Sequence, residues 1–462
     1  MRHHVSQRSA LARSIAVALA VTVLGVPVAA FADAAKEQEL EARVAELEKM
    51  VKQLIAEKQA SPTAAAPAAA GAATVAAAPP KPDAKAIQAT SITPNAAPGT
   101  SFILTGYAKV DGMWSDTSDG ELPEANAARD FYVPGATPVG GLDESSADFD
   151  AHAKQTRINF GTDTVLDGGD KLMTRFEIDF FGSVTGDQRI TNTYAPVLRH
   201  AYVQWRHWLV GQTWSNFQDV ATLPDSVDFI GSTDGTVFVR QPQVRYTYGG
   251  FSFSVENPET TITPFGGGTG GNARITTDDS SIPDLTARYT WKGGWGHFSV
   301  AALARELKYQ TTGAGAIDDS TWSAAGSLSG KFNIGKNDDI RYMLLGGNLG
   351  RYVGLNFTND AVLDSNGNLD TIDGFAGVVA WRHVWAPKWR TNLYYAMEDY
   401  DNKSSLTGGL VNKSSESFTG NVWYTPLPKL DIGAEFRHAV RELENGDDGS
   451  LDRLQFTTKY SF

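Results

Sequence analysis

The last eleven residues, Asp452-Arg453-Leu454-Gln455-Phe456-Thr457-Thr458-Lys459-Tyr460-Ser461-Phe462, divide cleanly at a period of two. Leu454, Phe456, Thr458, Tyr460 and Phe462 share one face, and Arg453, Gln455, Thr457, Lys459 and Ser461 share the other. That pattern is a β-strand with one apolar and one wet side. Its length matches the roughly 9–11 residues that a tilted strand needs to cross the hydrocarbon of a bilayer. An edge strand in a soluble sheet would read the same way. The decision therefore rests on whether the rest of the chain supplies enough partners to close a barrel.

The partners are there. Period-two segments fall at 102–113, 155–165, 171–182, 197–206, 208–214, 237–248, 250–257 and 284–292. They continue at 295–309, 321–334, 339–350, 373–386, 388–400, 416–426, 430–442 and 452–462. The count is sixteen, and bacterial membrane barrels have an even number of strands. The connections alternate. Long gaps fall at 114–154, 183–196, 215–236, 258–283, 310–320, 351–372, 401–415 and 443–451. Between them lie tight turns such as Arg206-His207, Gly249-Gly250, Pro387-Lys388 and Pro428-Lys429. Long loops on one rim and short turns on the other are the habit of outer-membrane barrels. A sandwich or propeller has no reason to keep that alternation. The expected fold is all-β: a sixteen-stranded antiparallel transmembrane barrel over 101–462.

Tryptophans mark the short-turn rim. Trp205 and Trp208 flank one turn, Trp291 and Trp295 another, Trp385 and Trp389 a third, and Trp423 precedes a fourth. Indoles favour the membrane–water boundary because one end is apolar and the other can hydrogen-bond, so these residues are expected to form a periplasmic girdle.

Composition narrows the alternatives. The 462 residues contain no cysteine and carry a formal net charge of −13, which excludes disulfides and thiolate sites and argues against a nucleic-acid partner. A mean hydropathy of −0.26 excludes a bundle of membrane helices but not a barrel, whose alternating strands average out. No cofactor motif is present. Barrel histidines at 200, 207, 297, 383 and 438 are scattered and no G-x-S-x-G occurs, so a barrel enzyme is disfavoured.

Three segments precede the barrel. Residues 1–32 read as a secretory signal, with Arg2, Arg8 and Arg13 before an apolar run and Ala30-Phe31-Ala32 as the cleavage site. Residues 36–59 carry a heptad with Val44 and Val51 at a and Leu40, Leu47 and Leu54 at d. Val at a favours a dimer, whereas Met50 and Ile55 widen the seam towards higher order. Residues 60–100 form a linker, rich in Ala and Pro over 60–86. The coiled coil is expected in the periplasm.

Charge sets the barrel faces. Arginine facing lipid at mid-membrane costs roughly 2–4 kcal/mol, so charged strand residues point inward. Lys109, Arg157, Arg175, Arg245, Arg288, Arg305, Arg341, Arg382, Arg390, Arg437 and Arg453 are accordingly candidate pore-lining, anion-binding groups. Arg199 is out of step, sharing parity with Ala201 and Val203, which places it at a loop end or beyond a bulge. The acidic surplus sits in loops, above all the first, with Asp119, Glu121, Glu124, Asp148 and Asp150 among its acids.

The closing strand resembles that of bacterial outer-membrane porins, which implies that Tyr460 and Phe462 serve as the signal for the barrel assembly machinery. The segment 215–236, with Asp219, Asp225, Asp228 and Asp234, resembles the porin constriction loop that folds inward against a basic ladder, here Arg157 and Arg175. The order of signal, heptad helix, linker and barrel resembles the DcaP-type trimeric porins. Supporting residues are Arg199-His200-Ala201-Tyr202-Val203, Gly211-Gln212-Thr213-Trp214, Trp381-Arg382-His383-Val384-Trp385 and Lys459-Tyr460-Ser461-Phe462. That resemblance implies a homotrimer in outer-membrane lipid, passing small anions, dicarboxylates included, by diffusion. The rival readings are a structural or adhesive barrel held through its coiled coil and, less favoured, a barrel enzyme.

Overall fold

The computed structural model describes residues 99–141, 147–182, 186–189, 191–271 and 273–462. The signal, the coiled coil and nearly all of the linker lie outside the described residues.

Sixteen strands make the wall. They are β1 (Thr100–Thr117), β2 (Arg157–Val165), β3 (Lys171–Asp179), β4 (Val197–Trp205), β5 (Trp208–Trp214), β6 (Arg240–Tyr248), β7 (Phe251–Glu256) and β8 (Asp284–Gly293). Then come β9 (Gly296–Gln310), β10 (Asp318–Ile334), β11 (Asp338–Gly347), β12 (Gly374–Ala386), β13 (Trp389–Tyr400), β14 (Asn412–Leu427), β15 (Leu430–Leu443) and β16 (Asp448–Ser461). Each pairs antiparallel with its neighbours in the chain. β1 closes the ring by pairing Tyr107–Thr117 with Leu451–Ser461 of β16. Closure satisfies every strand edge, the only way a sheet can cross hydrocarbon. At the seam, Phe462 N donates to Gly106 O at 3.0 Å and Gly106 N donates to Phe462 O at 3.4 Å.

Burial is inverted relative to a soluble sheet. Along β16, Leu454, Phe456 and Tyr460 are 41, 45 and 53% exposed, whereas Arg453, Gln455 and Thr457 are 2–3% exposed. The apolar face therefore looks outward, as lipid requires, and the polar face looks into the bore. The same holds for Ile158, Phe176, Val244, Leu344, Phe418 and Phe436, all exposed on the outer wall.

Seven short turns line one rim. At Arg206 and Lys429 the backbone is left-handed, with φ of 52° and 69°, as tight hairpins with the right strand twist demand. Trp205, Trp208, Trp291, Trp295, Trp385 and Trp389 are outward-facing there. Trp423 departs from the expected girdle. It is 1% exposed and points inward. Its parity is that of Thr419 and Asn421, both buried, rather than of lipid-facing Phe418 and Val422, so nearness to a turn misassigned it.

Two connections differ from expectation. The first loop contains a strand, Asp148–His152, which pairs β1 from Asp111 to Ser115 and continues the line of β2. Between the Asp111–His152 and Tyr107–Arg157 pairs the second strand has one residue more than the first, which interrupts the ladder. Thr156 fills the break, accepting from Lys109 N at 3.2 Å and donating to Lys109 O at 3.3 Å through its hydroxyl. The eighth loop is only the four residues 444–447, because β15 and β16 run further than their apolar alternation suggested.

The other long loops do not all stand in solvent. Phe217, Val237, Tyr352, Val353 and Phe357 pack against the inward side chains Met343, Ala376, Val378, Tyr394 and Ala396. The loop after β7 joins the loop after β11 in a small sheet, with Ile262 and Thr263 parallel to Ala361 and Val362.

Candidate functional site

The segment 215–236 crosses the interior and is fastened along its length. Short polar side chains shape it locally: Asp219 accepts from Ala221 N at 3.2 Å, and Asp228 accepts from Ile230 N at 3.1 Å and Gly231 N at 3.3 Å. The wall then holds it. His297 Nε2 meets the Asp219 carboxylate at 2.8 Å and Ser329 donates to it at 2.9 Å. The Asp225 carbonyl accepts from Trp423 Nε1 at 2.9 Å and from Asn392 and Asn421 at 3.0 Å each. Glu435 accepts from Val227 N at 2.8 Å and Asp228 N at 3.2 Å, and Arg437 donates to Gly231 O at 2.6 Å.

Two more loops close over this one. In the first loop, Tyr132 N donates to Asp228 at 2.9 Å, Arg453 donates to Ala128 O at 2.5 Å and Arg441 donates to Thr137 O at 2.7 Å. In the loop after β11, Asp360 meets Arg305 at 2.6 Å, and Arg351 and Tyr352 reach Asp284 at 3.0 and 2.8 Å. The bonds named here fasten these loops to the wall from β8 to β16.

The predicted cations separate into two groups. Lys109, Arg305, Arg437 and Arg453 are only 1–2% exposed. Lys109 gives its ammonium to Asp111 and Val227 O at 2.7 and 2.9 Å and to Gln155, so its donors are used up. These four hold loops and do not face open space. Arg157, Arg175, Arg245, Arg288, Arg341, Arg382 and Arg390 keep part of their surface exposed. Arg157 pairs with Asp179 at 3.1 Å and Arg175 with Asp163 at 2.8 Å. Arg390 pairs with Asp225 at 2.6 Å and Asp431 at 3.2 Å. Asp339 alone serves Arg341, Arg382 and Lys331, at 2.7, 3.2 and 3.4 Å, which leaves positive charge in excess there. Arg245 and Arg288 donate to the carbonyls of Trp214 and Gln218, and neither is in an ion pair among the described residues.

The expected ladder is placed differently. The crossing loop leans on His297, Ser329, Arg390, Asn392, Asn421, Trp423, Glu435 and Arg437, not on Arg157 or Arg175. Its four aspartates are engaged rather than displayed: Asp219 and Asp225 by the wall, Asp228 by Tyr132, and Asp234 by Ser417 at 3.0 Å and Tyr132 at 3.3 Å. Sequence reasoning missed His297, Trp423 and Arg240. Arg240 is stacked 4.9 Å from the Trp214 ring and 5.5 Å from Phe238, with no ion pair among the described residues. Arg240 shares the parity of outward-facing Pro242 and Val244 rather than that of buried Gln241 and Gln243, so period two hid it. Arg199 lies at a bulge between Glu177 and Ile178 and turns inward to Glu177 and Asp179 at 2.8 and 2.9 Å. Among the described residues no group of His, Cys, Asp or Glu is arranged to hold a metal ion.

A closed barrel of this strand number, greasy outside and polar inside, with a loop crossing its bore, is an outer-membrane porin. The chain belongs to the DcaP outer membrane protein family, whose model matches residues 125–462. Its fold is similar to that of the outer membrane channel DcaP of Acinetobacter baumannii, at 23% identity over 79% of this chain and 98% of that one, with a TM-score of 0.64. An anion-selective porin from Comamonas acidovorans aligns at 13% identity over 79% of this chain and 100% of that one, TM-score 0.49. OmpT of Vibrio cholerae without its loop L8 aligns at 14% identity over 79% and 100%, TM-score 0.46. No curated protein sequence matches the chain.

Proposed function

We propose that this porin passes small hydrophilic solutes by diffusion and favours anions, dicarboxylates among them. The carrying observation is the set Arg240 and Arg245 on β6 and Arg288 on β8, none of which is in an ion pair among the described residues. Arg157 and Arg175 add partly compensated charge beside them. An elementary charge pair at 4 Å is worth about 1 kcal/mol in water and about 4 kcal/mol at an effective dielectric of 20. A narrowed bore lies between these limits, so a few uncompensated guanidiniums bias permeation. Guanidinium also binds carboxylate in a forked geometry, which suits dicarboxylates. The acids at the outer mouth oppose this, but their field decays over about 8 Å at physiological salt.

On this reading the chain acts as a homotrimer, exported by 1–32, recognised for assembly through Tyr460 and Phe462, and carrying 36–59 in the periplasm. The name of the Acinetobacter relative, an outer membrane channel, supports the channel reading. Liposome swelling tests it: succinate should enter faster than lysine or other cations of similar size. Equal rates for both would refute the anion preference, and no swelling with any solute would refute the channel.

A further inference from the structure

At the short-turn rim, the inner faces of β6, β7 and β8 form a recess of about 280 Å³ beside the Gly249-Gly250 turn. Its side chains are Thr247 of β6, Ser252 of β7, and Arg288, Thr290 and Lys292 of β8. All have inward parity, because the alternating Tyr248, Phe251, Tyr289 and Trp291 are exposed on the outer wall. Register sets three of them in one row across the sheet, with Thr247 opposite Ser252 and Ser252 opposite Arg288. Lys292 lies nearer the rim, about 13 Å along the strand from Arg288 at roughly 3.3 Å per residue.

No acid lines the recess. Asp219 and Glu256 are the carboxylates within electrostatic reach of Arg288, and both are engaged elsewhere. Asp219 is held by His297 and Ser329, and Glu256 accepts from Asn216 N at 2.8 Å and Gln241 at 2.6 Å. Arg288 uses only Nη1, on Gln218 O at 2.7 Å. Its Nε and Nη2 make no hydrogen bond among the described residues and keep accessible surface. Lys292 is exposed, and its ammonium is in no hydrogen bond or ion pair among the described residues. Thr247 is exposed as well, and its hydroxyl is likewise without a protein partner among the described residues. By contrast, Thr290 Oγ1 shares a bond with Ser299 Oγ at 2.8 Å, and Ser252 donates to Asn216 at 2.7 Å. Two unpaired cations and a free hydroxyl therefore open on one recess. A cleft lined by one sign of charge and backed by a low-dielectric wall concentrates counter-ions.

We propose that this recess is a binding site for small dicarboxylates at the short-turn mouth, with one carboxylate on Arg288 and Thr247 and the other on Lys292. This rests on the anion-favouring reading of the bore and adds a second site where solute meets the short-turn side. Arg288 offers two adjacent N–H donors, the forked geometry that a carboxylate matches, and Lys292 acts as a point charge. A monocarboxylate meets only one of the two cations.

The test is block of single-channel current by succinate, added on the short-turn or the long-loop side of the reconstituted porin, with butyrate and succinamide as controls. Succinate should act at lower concentration from the short-turn side, butyrate should be several-fold weaker there, and succinamide should not act. Lys292→Gln should raise the half-blocking concentration of succinate on that side about fivefold, the effect of one part-solvated charge pair. Lys292→Arg should keep the block, and Thr247→Val should weaken it. Neither Lys292 nor the Thr247 hydroxyl has a side-chain bond to lose, so thermal stability should be unchanged in these variants. Equal block from the two sides, equal block by butyrate, or wild-type block in Lys292→Gln would overturn the proposal. Failure of the bore reading is separate, because it appears as a cation-selective reversal potential of the wild type in KCl, measured without succinate.

Discussion

The indole Nε1 of Trp423 donates to the backbone carbonyl of Asp225 at 2.9 Å, so a residue on the wall near the short-turn rim holds a loop that starts at the opposite rim. Asn392 and Asn421 converge on the same carbonyl. That oxygen is the firmest point of the crossing loop. Trp423→Phe keeps the ring and removes the bond, at a cost of about 1 kcal/mol. The barrel should form at normal yield, with larger single-channel conductance and more open-channel noise. Unchanged conductance and noise would mean that Asp225 is held well enough by the two asparagines.

The loop after β11 depends on one buried guanidinium. Arg305 meets Asp360 at 2.6 Å and Asp284 at 3.3 Å, and all three are almost fully buried. Arg305→Met would leave the buried Asp360 carboxylate without its cation and Asp284 with Arg351 alone, a loss of roughly 3–5 kcal/mol for a broken buried pair. Limited proteolysis should then cut between residues 348 and 373, where the wild type resists. Equal resistance would show that the apolar contacts of Tyr352 and Phe357 suffice.

The same contact gives a pH dependence. Burial alone would raise the Asp360 carboxyl, but the Arg305 guanidinium outweighs it and holds the carboxyl below its usual range. A depressed folded value means that the stabilisation is present above the ordinary carboxyl value of about 3.9 and is lost as pH falls through the lower folded value. Loop protection should therefore be flat from neutrality down to about pH 4 and fall only in stronger acid. Loss of protection between pH 5 and 7 would contradict this.

The barrel seam makes a steric prediction. A Cβ on Gly106 would lie 2.2 Å from Arg157 O and 2.9 Å from the Phe462 ring. Gly106→Val should therefore lower the outer-membrane yield, as should removal of Phe462, with export through the signal unaffected. Normal yield of both variants would mean that the other pairs between β1 and β16 close the barrel unaided.

Much of the wall was legible in the chain because period two is a local property. Sixteen strands, the outward face of Leu454, Phe456 and Tyr460, and three tryptophan pairs followed from neighbouring residues alone. What local pattern cannot say is which part of the bore a loop will cover. The direction of 215–236 depends on Asn392, Asn421, Trp423 and Glu435, far along the chain, so Arg157 and Arg175 were expected to face a loop that leans elsewhere. Parity also cannot separate a lumenal arginine that meets solute from one that holds a loop. Lys109 and Arg437 read the same as Arg245 and Arg288 until the loops are in place. Thr156 hid the strand break because it replaces backbone bonds with a side chain.

The most direct measurement is the reversal potential of the reconstituted porin in a KCl gradient, for the wild type and for a variant with Arg240, Arg245 and Arg288 all changed to Gln. The account predicts an anion-selective wild type and a variant shifted several-fold towards cations, with the crossing loop still protected from protease. A cation-selective wild type, or a preference unchanged in the variant, would contradict it.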